Sequence, residues 1–131
     1  MINKNLIALL GCSFFIYLSL GLWTGGAHSD AGDYTTLAIQ IVKLNNWSQL
    51  FLLNSGREVF SMWLFTLVIF MKIFGPYWQV AVFTTSVFAT LSILIFYKIL
   101  TIYFKSYKSL LICICLSFSP AFMVISHNSL Y

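Results

Sequence analysis

Apolar and polar residues fall in long blocks along this chain. Residues 6–23 carry no charged side chain, and a run of 18 is close to the roughly 20 residues a helix needs to cross a bilayer core. The next stretch, 24–58, gathers Gly25, Gly26, His28, Ser29, Asp30, Gly32 and Asp33 and reads as a polar loop. In its second half Leu37, Ile41, Leu44, Leu50 and Phe51 are separated by Gln40, Lys43, Asn45, Asn46 and Gln49. That spacing predicts one or two short helices lying along a membrane interface. A second apolar run, 59–74, ends near Lys72, whose stem can carry its ammonium out to the headgroups. Gly75-Pro76 breaks the helix. A third run, 77–97, opens with Tyr77 and Trp78, residue types that belong at a membrane–water boundary. A basic connection, 98–108, leads to a fourth run, 109–126. Pro120 lies inside that run and predicts a kink whose freed carbonyl is taken up by a neighbour or by a serine such as Ser117.

Composition turns these runs into a class of protein. Of 131 residues, 60% are hydrophobic, 18% aromatic and 8% charged, with a mean hydropathy of +0.92. A soluble domain needs about 25% charged residues to clothe its surface. The composition excludes a disordered chain, a disulfide-stapled secreted module and a nucleic-acid binder with an exposed basic face. The expectation is an all-α integral membrane protein with about four transmembrane helices and an acidic first loop carrying short interfacial helices, in one membrane domain over 1–131. A secretory signal peptide is the competing reading of residues 6–23, with Lys4 as its basic start and small residues at 24–27. The run is longer than the 7 to 15 apolar residues typical of such a peptide, roughly, and ends on Trp23. Cys12, Cys113 and Cys115 all sit in apolar runs, at a spacing that fits neither a zinc ribbon nor a redox pair. No metal or cofactor is expected.

The seven basic residues bear on orientation. With four spans and the N-terminus in the cytoplasm, Lys4 and Lys72 lie inside, and Lys43, Arg57, Lys98, Lys105 and Lys108 lie outside. Counting positive charge on the cytoplasmic side favours the opposite arrangement.

Asp30, Asp33 and Glu58 are the only acids, and all lie between the first and second apolar runs. A solvated loop accounts for such a position without any function. Glu58 carries more weight, because Arg57-Glu58 opens a span, where a charge is costly without a partner or a purpose. A carboxylate there also favours the positive end of a helix dipole. Asp33-Tyr34, after Gly32, could reach a phosphate-bound metal or deprotonate a sugar hydroxyl, or form an ordinary Asx turn. His28 and His127 lie near opposite ends of the chain, where a lone histidine is more often an interfacial polar residue than a ligand.

Taken in order, these features are similar to the start of the EpsG and Wzy-like polysaccharide polymerases of bacteria: one span, Gly32-Asp33-Tyr34, an amphipathic stretch, Gly56-Arg57-Glu58-Val59-Phe60 opening a span closed by Ile73-Phe74-Gly75, then Ser117-Phe118-Ser119-Pro120 and Ser126-His127-Asn128. In those families the last segment leads into an Arg-Gln pair, which residues up to Tyr131 do not include. The resemblance implies the N-terminal portion of a larger polytopic protein of the bacterial inner membrane. The activity it implies for the longer form is joining polyprenyl-diphosphate-linked oligosaccharide repeat units into O-antigen, capsule or exopolysaccharide. Asp33 and Glu58 would be the catalytic acids, with Asp30, Tyr34, Arg57, His127 and Asn128 in contact with substrate. The implied partners are the lipid-linked oligosaccharide, the bilayer and other glycan-assembly membrane proteins, with no nucleic acid. The same opening is also similar to GT-C type, polyprenyl-phosphate-dependent glycosyltransferases. A small non-enzymatic subunit of a transporter or flippase is the third expectation.

Overall fold

The computed structural model describes residues 4–23, 29–47 and 62–127. Among them the chain forms six helices: α1 (Lys4–Trp23), α2 (Ser29–Leu44), α3 (Met62–Phe74), α4 (Trp78–Tyr103), α5 (Ser106–Ser117) and α6 (Pro120–His127). No strand is present among the described residues.

Helix α4 is the spine, touching each of the other five. One end shares a core with α2 and α3: Val80 and Ala81 are buried with Ala38, Ile41, Leu64, Leu67, Val68 and Met71. Further along, Ala89, Ile93 and Tyr97 are buried with Leu6, Leu9 and Tyr17 of α1 and Cys113 of α5, and Phe122 of α6 packs against them. An aromatic seam joins α1 and α3 to α4 through Phe14–Phe83, Phe74–Phe83, Phe70–Phe88 and Trp63–Phe88, with ring centroids 5.8–6.4 Å apart.

Rows of buried positions recur every four residues. On α1 one such row is Leu9, Ser13, Tyr17 and Gly21, and on α4 it is Thr85, Ala89, Ile93 and Tyr97. On α5 it is Ser109, Cys113 and Ser117, all fully buried. Residues four apart line one face of a helix, and small ones in such a row let helix backbones approach closely, the form of packing available where lipid removes the hydrophobic drive between helices. Three buried hydroxyls of α4 are satisfied inside the helix: Thr84, Thr85 and Ser86 donate to the carbonyls of Val80, Ala81 and Val82 at 2.7–2.9 Å. Such back-bonding makes polar side chains tolerable in an apolar helix.

Among the described residues two helices, α1 and α4, are long and apolar enough to cross a membrane. The 26 residues of α4 rise about 39 Å, more than the ~30 Å of a hydrocarbon core. Four spans were expected. Helix α3 has 13 described residues and α5 has 12, about 20 and 18 Å, so neither reaches that length within the described residues. The fourth run is two helices, α5 and α6, rather than one kinked helix. Pro120 stands at the first position of α6, where its missing N–H is no loss, and Ser119 caps it by accepting the Phe122 N–H at 3.3 Å.

The polar loop expected after the first run is also different. Ser29–Leu44 is helical, which places Asp30 and Asp33 in the first turns of α2. The stripe Thr35, Ala38 and Ile41 is buried while Thr36, Gln40 and Lys43 are exposed; of the apolar positions expected to form one face, Ile41 is buried, Leu37 is half-buried and Leu44 is exposed. Its apolar face meets α3. Asn45, at φ 50°, ends α2 in the left-handed conformation that asparagine tolerates. Gly75, at φ 101°, closes α3 with its N–H on the Met71 carbonyl at 2.9 Å, and Pro76 follows as at many helix ends.

Candidate functional site

Of the residues singled out for chemistry, Tyr34 is the one whose side chain is described. It is half-buried on α2 and packs against the core shared by α2 and α3. Asp30 and Asp33 lie one and a half turns or less into α2, at the end where the helix dipole favours a carboxylate by about 0.3–1 kcal/mol. Their side chains lie outside the described residues, as does that of His127, the last residue of α6. Arg57, Glu58 and Asn128 also lie outside the described residues, as does His28. The backbone therefore brings Asp30, Asp33 and Tyr34 onto one helix, and that helix packs on α3, which begins four residues after Glu58.

A second polar constellation lies at the break between α5 and α6, and only Ser117 and Pro120 in it stand out in the sequence. In a continuous helix the Ser117 carbonyl would accept the N–H of residue 121; at the break it accepts the Tyr17 hydroxyl instead, at 3.0 Å, across 100 residues of sequence. Tyr17 is fully buried, and its ring also meets Phe122 at 6.0 Å. The Ser117 hydroxyl turns inward and donates to the Cys113 carbonyl at 2.7 Å. The carbonyl that Pro120 itself cannot serve is that of Leu116, which accepts the Ser119 N–H at 3.1 Å, while the Ser117 carbonyl, freed by the break, is served by α1. Ser13, one turn before Tyr17, places another hydroxyl near the phenol. It is fully buried, yet its Oγ makes no contact with hydrogen-bond geometry.

At the other end of the molecule Lys72, in the last turn of α3, holds its Nζ 4.8 Å from the centre of the Trp47 ring. The expected reach of this ammonium out of the apolar run is thus directed onto an aromatic face, and it draws the C-terminal ends of α2 and α3 together. Such a contact contributes about 0.5–1 kcal/mol at an exposed site. Lys4, Lys43, Lys98, Lys105 and Lys108 are exposed as well.

All three cysteines are free, with Cys113 buried and Cys12 and Cys115 exposed. Among the described residues no group of three His, Cys, Asp or Glu side chains is placed to hold a metal ion. No family model, curated protein or solved structure matches this chain.

Proposed function

We propose that this chain is the N-terminal portion of an EpsG or Wzy-like polymerase, a multi-pass protein of the bacterial inner membrane acting on polyprenyl-diphosphate-linked repeat units. The observation that carries the reading is the pairing of α2 with α3. The helix opening with Asp30, Asp33 and Tyr34 packs on the helix that follows Arg57-Glu58, so the two short motifs flank one helix pair. The bilayer part of the reading is supported by apolar exposure: Phe15, Ile95 and Ile102 are 66%, 60% and 76% exposed on the two longest helices. Water disfavours such surface at about 25 cal/mol per Å², whereas lipid does not.

In this reading a carboxylate at Asp33 or Glu58 takes the proton of the attacking sugar hydroxyl, and basic side chains such as Arg57 hold the diphosphate that leaves with the lipid. The test is made in the longer protein carrying this segment, as the sole copy in its host. Asp33→Asn or Glu58→Gln is expected to abolish long glycan while the protein stays at its normal level in the membrane. Unchanged polymer length in both variants would refute the assignment of these acids.

A further inference from the structure

The connection between α4 and α5 is the most basic segment of the chain. Lys98, Lys105 and Lys108 lie within eleven residues, and every side chain from 101 to 108 is exposed. Tyr103 and Tyr107 are 75% and 69% exposed. The backbone of the turn is nonetheless held in place. Phe104 donates its N–H to the Leu100 carbonyl at 2.8 Å, and the hydroxyls of Tyr97 and Ser106 are 2.7 Å apart across the turn.

These lysines do not serve the helix beside them. Lys105 is the N-cap residue of α5 and Lys108 lies in its first turn, with no side-chain cap and no acid there, at the end of a helix where a cation is disfavoured. Nor does the chain supply anions nearby: no Asp or Glu occurs in α1 or anywhere between Val59 and Tyr131. Helix α2, which holds Asp30 and Asp33, shares its core with Val80 and Ala81 at the opposite end of α4.

The length of α4 places the segment. From Trp78 to Lys98 the helix rises about 30 Å, the thickness of the hydrocarbon core. With Tyr77 and Trp78 at one boundary, Lys98 reaches the other, and the last turn of α4 and the connection lie among the headgroups. Lysine stems extend along apolar surface while their ammonium groups stay in the polar layer, and tyrosine rings favour the same depth.

We propose that the α4–α5 connection is an anchoring surface for anionic phospholipid headgroups. Lys98, Lys105 and Lys108 pair with the lipid phosphates, and Tyr103, Phe104 and Tyr107 seat their rings at the boundary with the acyl chains. The inference rests on the placement of the chain in a bilayer and not on polymerase activity. It also gives the three lysines that weigh against the family-based orientation a role in either leaflet.

The full chain, purified in detergent, is titrated with phosphatidylglycerol and with phosphatidylcholine, and bound lipid is counted by native mass spectrometry. The first phosphatidylglycerol is expected to bind on the order of 100-fold more tightly than phosphatidylcholine, since each of the three lysines near the surface contributes about a fivefold preference. Converting all three lysines to Gln is expected to weaken phosphatidylglycerol on the order of 100-fold and to leave phosphatidylcholine unchanged. Converting them to Arg keeps the preference, as does Lys43→Gln, which alters an exposed lysine elsewhere. Equal binding of the two lipids, or a triple Gln variant that binds like the wild type, would overturn the proposal. Alkaline carbonate extraction of membranes separates the two levels. A chain released to the supernatant overturns the bilayer placement and the proposal together, while a retained chain without lipid preference overturns the proposal alone.

Discussion

Tyr17 joins α1 to the α5–α6 break through one hydroxyl, and its removal leaves the Ser117 carbonyl buried and unpaired. Tyr17→Phe is therefore expected to destabilise the protein by about 1–3 kcal/mol, read as a lower unfolding midpoint in mixed detergent. Ser92→Ala removes an exposed bond to the Phe88 carbonyl and should cost far less. Ser13→Ala has the opposite expectation: its Oγ is buried without a hydrogen bond, so the variant should be neutral or slightly stabilised. A loss of more than about 1 kcal/mol would mean that this hydroxyl has a partner after all. These residues mark the limit of sequence reading at this scale. Ser117 was legible as a hydroxyl near a proline, but its acceptor role toward Tyr17 depends on a contact 100 residues away, and no periodicity encodes that. Asp33 stood out by type, since acids are so rare in this chain, and Tyr34 only through its place beside it.

Some helix ends were legible from a backbone requirement. Gly75 at φ 101° is such a case: a Cβ there would lie 2.6 Å from Cε2 of Tyr77. Gly75→Ala is expected to cost about 1–2 kcal/mol, measured by thermal unfolding followed by circular dichroism. Adding Tyr77→Ala should recover only part of the loss, because the ring clash disappears and the backbone strain does not. Other boundaries were masked by composition. The lysine at 98 looked like the end of the third run, yet α4 continues to Tyr103, since a long charged side chain near a boundary does not oppose helix. The Asp and Gly residues at 30–33 read as a loop, yet they open α2, because Ser and Asp suit the start of a helix as well as a turn. No Gly-x-x-x-Gly pair lies within the four apolar runs. The four-residue row Ser109, Cys113, Ser117 does the same work with slightly larger side chains.

Across the whole molecule, the two cores meet on α4, and the apolar residues left outside them are ordered as well. Leu91, Ile95, Ile99 and Ile102 are 43%, 60%, 47% and 76% exposed and follow one another at spacings of three and four, a stripe on one side of the helix. The buried row Thr85, Ala89, Ile93 and Tyr97 faces the bundle. The helical and apolar character of the fold was plain from the sequence, while the central place of α4 was not, because every apolar run looked equally able to hold it. This exposed stripe is expected to contact lipid. In vesicles, with Cys12, Cys113 and Cys115 replaced, spin labels at positions 91 and 95 are compared with a label at 105 by electron paramagnetic resonance. The account predicts that molecular oxygen reaches the labels at 91 and 95 readily while a water-soluble nickel chelate does not, and that the chelate reaches position 105. Chelate access at 91 and 95 equal to that at 105 would contradict it.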